Sequence, residues 1–132
     1  MKILVIDDDP AMTELLRLLL LPTQSTVITA NSGCEGVELA QSEHPELIIL
    51  DLMMPEMDGC QVCQAVRKFS DLPIMILSAL DNPGMVAKAL DAGADDYLIK
   101  PVPSGVLIAH INNLVRRAHA QNGVLMSSHA SK

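Results

Sequence analysis

The stretch "KILVIDDDP", Lys2 to Pro10, sets four aliphatic residues directly against three consecutive acids, Asp7, Asp8 and Asp9. Single polar residues close later aliphatic runs: Asp51 in "ELIILDLMMP", Ser78 in "PIMILSA" and Lys100 in "YLIKP". Gathered together, such acids would be costly, since two carboxylates about 5 Å apart repel by roughly 3 kcal/mol at an effective dielectric of about 20. Either protons are retained or a cation sits among them. Oxygen-only ligands select a hard ion, and Mg2+ takes one or two carboxylates and keeps several waters. A half-hydrated Mg2+ that then shares its charge with a phosphoryl group fits this count. The acids of "IDDDP" therefore divide, with Asp7 and Asp8 for metal and Asp9 as the cap of a helix. An acid that merely caps a helix explains any one of them alone. It does not explain an acid pair, an isolated Asp, a hydroxyl and a Lys-Pro closing successive runs in order.

Elements must position these groups. Ile3–Ile6, Thr26–Ala30, Leu47–Leu50, Ile74–Leu77 and Tyr97–Ile99 are short runs of β-formers bounded by turn residues, and they predict strands. Apolar residues at helical spacing predict helices over Pro10–Leu20, Gly33–Ser42, Gly59–Phe69, Pro83–Ala92 and Ser104–Ala118. Asp9 before Pro10 and Asn82 before Pro83 fit an N-cap followed by a first-turn proline. Ser32 with Glu35 fits a capping box. The alternation implies an α/β fold, a five-stranded parallel sheet with helices on both faces. Sites in such folds form at the carboxyl ends of the strands, where the strand order reverses. If the first and third strands are neighbours, Asp7, Asp8 and Asp51 converge beside Ser78 and Lys100. After His119 the period is lost, and residues 119–132 are expected to form a flexible tail or the start of a linker.

The chain has 132 residues, 49% of them hydrophobic, which is the size of one domain with an adequate core. It lacks Trp, and Tyr97 and Phe69 are its only aromatic residues, so the core is expected to be aliphatic and Met-rich. A net charge of −7 and no basic cluster beyond Arg116-Arg117 argue against direct nucleic-acid binding. The N-terminus is too short and acidic for a signal peptide, and no apolar run approaches the roughly 20 residues of a membrane span. Three cysteines do not make a disulfide framework. The expected compartment is the cytoplasm. Cys60 and Cys63 form a CxxC with no second pair, and are read as packing residues one helical turn apart. His44, His110, His119 and His129 are scattered and expected at the surface.

"ILVIDDDP", "LIILDLMMPEMDG", "PIMILSA" and "GADDYLIKP", at these intervals, resemble the receiver domain of bacterial two-component response regulators over residues 1–118. The resemblance implies a flavodoxin-like (βα)5 fold with strand order 2-1-3-4-5, an order inherited from the family and not read from the residues. It makes Asp51 the phosphoacceptor. Asp8 and Asp51 would bind Mg2+ (or Mn2+) with their carboxylates, Met53 with its backbone carbonyl and Asp7 through a water. Lys100 would contact the phosphoryl oxygens, and Ser78 would move to hydrogen-bond one of them. Ala79 is small and leaves access, and Tyr97 matches an aromatic switch. The Lys100–Pro101 bond should be cis, against a background of about 5% for X–Pro bonds. The donor would be a phosphohistidine on a sensor histidine kinase. By family geometry, Met53 and Leu80 flank the path of a hydrolytic water, and their apolar side chains imply slow self-dephosphorylation.

Two rivals use similar residues. A haloacid-dehalogenase-type Mg phosphatase would use the D-x-D of Asp7 and Asp9, with Asp7 as nucleophile. Its motif wants Thr or Val where Ala11 stands, and the chain has no room for a cap domain. A flavodoxin would need hydroxyls in its first loop, where these acids would repel a phosphate. "GADDYLIKP" followed by "LIAHINNLVRR" is closest to receivers of winged-helix transcription regulators. Those dimerise through the fourth helix, fifth strand and fifth helix by charged pairs, a pattern that Lys88, Asp95, Asp96, Arg116 and Arg117 fit. Val106 and His110 replace the acid and arginine usual in that branch. Residues 119–132 cannot hold a DNA-binding domain, so either the output domain follows Lys132 or the receiver acts alone through protein–protein contacts.

Overall fold

The computed structural model describes the backbone of residues 1–130 and the side chains of residues 1–121. Its elements are β1 (Lys2–Ile6), α1 (Pro10–Leu19), β2 (Thr26–Ala30), α2 (Gly33–Glu43), β3 (Leu47–Leu50), α3 (Gly59–Arg67), β4 (Ile74–Ser78), α4 (Pro83–Asp91), β5 (Asp96–Ile99) and α5 (Ser104–Ala130). A 3-10 turn at Leu21–Thr23 was not foreseen from the sequence. The five strands form one parallel sheet in the order β2-β1-β3-β4-β5. β1 is therefore flanked by β2 and β3, and the strand order reverses there.

Side chains alternate across the sheet, as the pleat requires. Ile3, Val5, Leu47, Ile49, Met75 and Leu77 pack with Leu16, Leu107 and Ile111 of α1 and α5. Leu4, Ile6, Ile48, Leu50, Ile74 and Ile76 pack with the layer formed by α2, α3 and α4, through residues such as Ala40, Val62, Val66 and Ala89. β1, β3 and β4 are buried on both faces, which is why they read as unbroken aliphatic runs. Among the described residues no buried side-chain nitrogen or oxygen lacks a partner.

The caps explain the helix starts. Asp9 and Asn82 accept from backbone N–H groups of the first turns of α1 and α4, each followed by proline. At α2 the expected capping box is half made: Ser32 accepts from the Glu35 N–H at 3.1 Å, but the Glu35 carboxylate takes the Asn31 N–H at 2.8 Å. The reciprocal box lies instead at α3, where Asp58 and Gln61 satisfy each other's backbone N–H groups at 2.9 Å.

Every helix ends at a different residue from the sequence reading, by one residue at α1, α2 and α4 and by more at α3 and α5. α3 stops at Arg67, and Phe69 falls beyond it, half-exposed. α5 continues past Ala118 to Ala130. The apolar period marks where a helix can bury a stripe, whereas helical backbone satisfies its own hydrogen bonds and continues through good formers such as Ala118, Ala120 and Gln121. Residues 131–132, the end of the expected tail, lie outside the described residues.

Candidate functional site

The ladder carries two acids to the same height. Past the ends of β1 and β3, the Asp7 N–H donates to the Ala30 carbonyl at 3.1 Å and the Asp51 N–H to the Ile6 carbonyl at 2.9 Å. Asp7, Asp8 and Asp51 each offer a carboxylate oxygen, and these lie within 4.8 Å of one another. Asp7 is 3% exposed, Asp51 is half-buried and Asp8 is open to solvent. Asp9 is spent on structure: its carboxylate accepts from the Ala11 N–H at 2.9 Å, capping α1.

Lys100 leaves β5 toward this cluster. Its Nζ donates to Asp7 Oδ2 at 3.2 Å and stands 3.9 Å from Asp51 Oδ1. The other Asp7 oxygen accepts from the Asp9 N–H at 3.0 Å, so both Asp7 oxygens are engaged. One ammonium thus reaches two of the three clustered carboxylates, those of Asp7 and Asp51. Asp51 shows the imbalance. Burial holds its carboxyl above the ordinary carboxylate range; Lys100 opposes this, and the charges of Asp7 and Asp8 add to it. A clustered, oxygen-only donor set short of positive charge suits a hard divalent cation.

Ser78 closes β4 and is 1% exposed. Its hydroxyl accepts from the Leu80 N–H at 3.3 Å, and the Tyr97 hydroxyl donates to the Leu80 carbonyl at 2.7 Å. The two polar groups of Leu80 thereby join Ser78 to β5. Ala79 is exposed, Met53 is 61% exposed, and the Lys100–Pro101 peptide is cis.

The charged residues around α4, β5 and α5 are not gathered into one constellation. The Asp95 carboxylate is held by the Arg67 guanidinium at 2.9 Å and the Ile74 N–H at 2.8 Å. Asp96 pairs with His110 Nδ1 at 2.7 Å, so that histidine is half-buried and partnered rather than a free surface residue. Arg116 donates to Asn113, while Lys88 and Arg117 are exposed. Leu90, Ile99 and Val106 are exposed apolar residues on these three elements. Cys60 and Cys63 are buried in α3, and burial pushes the Cys63 thiol up to about 12, which leaves almost no thiolate to bind metal or react.

Three contributors escaped the sequence reading. Asn31 donates from its carboxamide to the Asp7 carbonyl at 2.8 Å. Arg67 ties the ends of α3 and α4 through the Ser70, Leu72 and Gly93 carbonyls. Gly59 seats the start of α3 against the end of β3: a Cβ there would stand 2.7 Å from the Asp51 carbonyl oxygen. Only Gly59 left a mark in the sequence, as the last residue of "MMPEMDG".

A doubly covered parallel sheet with an acid cluster at its reversal point, reached by a lysine from the end of β5, is the arrangement that the receiver resemblance leads one to expect. The chain belongs to the response regulator receiver domain family, whose model matches residues 3–112. It is 44% identical over 116 residues to "Probable transcriptional regulator ycf27" of Cyanophora paradoxa, covering 88% of this chain and 48% of that protein. It is 43% identical over 122 residues to "Response regulator MprA" of Mycobacterium ulcerans, covering 92% of this chain and 53% of that protein. The chain thus spans about half the length of these relatives. Among solved structures, the BeF3-activated N-terminal receiver domain of RstA from Klebsiella pneumoniae superposes with a TM-score of 0.84 at 32% identity, over 88% of this chain and 99% of that one. A response regulator receiver domain protein from Clostridium thermocellum gives 0.85 at 29% identity, over 91% and 98%. No helix among the described residues is long and apolar enough to cross a membrane.

Proposed function

We propose that this chain is a phosphorylation switch that takes a phosphoryl group from a sensor histidine kinase onto Asp51. The observation that carries this reading is the convergence of Asp7, Asp8 and Asp51, with Lys100 beside the first and the last of them. Asp51 Oδ attacks phosphorus, and the phosphorus–nitrogen bond to the donor imidazole breaks with its electron pair leaving on the ring. Such transfer needs positioning and charge neutralisation more than acid–base work. When bound by Asp8, Asp51 and the Met53 carbonyl, with Asp7 acting through a water, Mg2+ or Mn2+ supplies that neutralisation. Lys100 is drawn from Asp7 to the phosphoryl oxygens. Asp7 is a poor nucleophile for the rival phosphatase reading, since both its oxygens are engaged and it is 3% exposed.

Ser78 then exchanges the Leu80 N–H for a phosphoryl oxygen. This frees the Leu80 peptide, whose carbonyl holds Tyr97, and so alters the α4–β5–α5 face. That face is the proposed output surface for a second copy. With Asp95 and Asp96 tied inside the chain, Leu90, Ile99 and Val106 are exposed apolar residues that this face offers to a partner. An output domain beyond this chain would control transcription, as the names and double length of the relatives suggest. An apolar groove lined by Met12, Leu15, Leu19, Val102 and Leu107 adjoins Lys100, and we assign it to kinase docking. The first test is incubation with acetyl phosphate and either Mg2+ or EDTA, read by intact mass. A hydroxylamine-sensitive phosphoryl adduct only with Mg2+ is expected; no adduct, or one indifferent to EDTA, overturns the reading.

A further inference from the structure

Resting on the reading of Asp7, Asp8 and Asp51 as a cation site, we infer that Asn31 is a positioning residue for that site. β1 and β2 pair in register up to Ile6 and Ala30, and there the backbone ladder ends. One more rung follows. The Asp7 N–H donates to the Ala30 carbonyl at 3.1 Å, and the Asp7 carbonyl accepts from Asn31 Nδ2 at 2.8 Å. The side chain of Asn31 thus takes over where the strand's own N–H groups run out.

The carbonyl it grips is that of the Asp7–Asp8 peptide. Its orientation fixes ψ of Asp7 and φ of Asp8, and therefore where the Asp8 carboxylate is sent. Among the described residues Asp8 has no other tether of this kind: its carboxylate is exposed, while that of Asp7 is held by Lys100 and the Asp9 N–H. Like charges at this turn push it to splay. A donor on the carbonyl, from a neighbouring strand, resists that push without adding charge to the site.

Asn31 is itself braced. Its N–H donates to the Glu35 carboxylate at 2.8 Å, and its Nδ2 lies 3.4 Å from the Thr13 hydroxyl. That hydroxyl donates to the Pro10 carbonyl at 3.0 Å, and Thr13 is 4% exposed. The clamp therefore joins the β2–α2 turn, the acidic turn and the first turn of α1. It acts in the apo protein, so its contribution is preorganisation: the cation meets Asp8 already aimed.

The test is calorimetric Mg2+ titration of the 132-residue chain, as parent, Asn31→Ala and Thr13→Val, with thermal unfolding of each. Asn31→Ala is expected to weaken Mg2+ binding by about 10-fold, the lower end for groups outside a metal's first coordination sphere. Thr13→Val should weaken it less, in the same direction. The unfolding midpoint of metal-free Asn31→Ala should stay near the parent's. In acetyl phosphate labelling, the Mg2+ needed for half-maximal rate should rise while the rate at saturating Mg2+ is largely retained. Parent-like Mg2+ affinity in Asn31→Ala overturns the inference, as does a loss of affinity matched by general unfolding. A parent that binds no Mg2+ overturns the cation-site reading itself and the inference with it.

Discussion

Lys100 Nζ donates to Asp7 Oδ2 at 3.2 Å, joining the ends of β1 and β5 across the width of β3 and β4. Lys100 is 21% and Asp7 5% exposed at the side chain, so water screens this pair little. Replacing Lys100 by Met leaves three carboxylates without their cation. Losing a charged hydrogen bond at such a site costs about 2 kcal/mol. Thermal unfolding of metal-free Lys100→Met should show that loss, and saturating Mg2+ should recover part of it. An unchanged midpoint would mean that Lys100 does not relieve the cluster.

Asp51 gives a stability prediction with a definite sign. Its folded pKa lies above the unfolded value, so the folded state holds the proton more tightly. Stability from this group is therefore lost as pH rises from the ordinary carboxylate range through the raised folded value. Asp51→Asn removes the charge and should be more stable than the parent at neutral pH. The gap should close on acidification, as Asp51 in the parent becomes protonated, and it should shrink when Mg2+ is added at neutral pH. Denaturation across pH 3 to 8 checks this; a parent more stable than Asp51→Asn at neutral pH without metal contradicts it.

The proposed kinase docking can be separated from the chemistry at Asp51. Leu15 of α1 is 47% exposed and lines the apolar groove next to Lys100. Leu15→Glu should fold normally. It should slow transfer from a cognate kinase by about 10-fold, a moderate interface effect, and leave acetyl phosphate labelling intact. Equal loss with both donors would place the defect at the site rather than at docking.

In the proposed phosphorylated state, the lifetime of the phosphoryl group depends on water reaching phosphorus opposite Asp51. Met53 and Leu80, expected by resemblance to flank that path, have apolar side chains that offer the water no hydrogen bond. A positioned polar group contributes about 100-fold when it orients or deprotonates a nucleophile. Slow decay is expected for the parent, and faster decay for Met53→Asn and Leu80→Glu with excess Mg2+. A parent that decays as fast as either variant removes the shielding argument.

The sheet was legible because β1, β3 and β4 are buried on both faces and so carry no polar residue until they surface. Asp7, Asp51 and Ser78 stood out for the same reason. Strand order came only through family resemblance, since short parallel strands carry no local mark of their neighbours. Asn31 was illegible because its partner lies across β1 and β2, and any loop could hold an Asn. Asp95 and Asp96 look alike in "GADDY", yet the one just before β5 serves Arg67 and the one that opens β5 serves His110. The extent of α5 escaped because periodicity reports burial, and a helix can outrun its buried stripe.

The proposed function makes Asp51 the phosphoacceptor. Peptide mapping by mass spectrometry after acetyl phosphate and Mg2+ treatment checks this, with the parent, Asp51→Asn and Asp7→Asn compared. The parent should carry the phosphoryl group on Asp51 alone, Asp51→Asn should carry none, and any label on Asp7→Asn should still fall on Asp51. Full labelling of Asp51→Asn, or a label on Asp7 in the parent, would contradict the account.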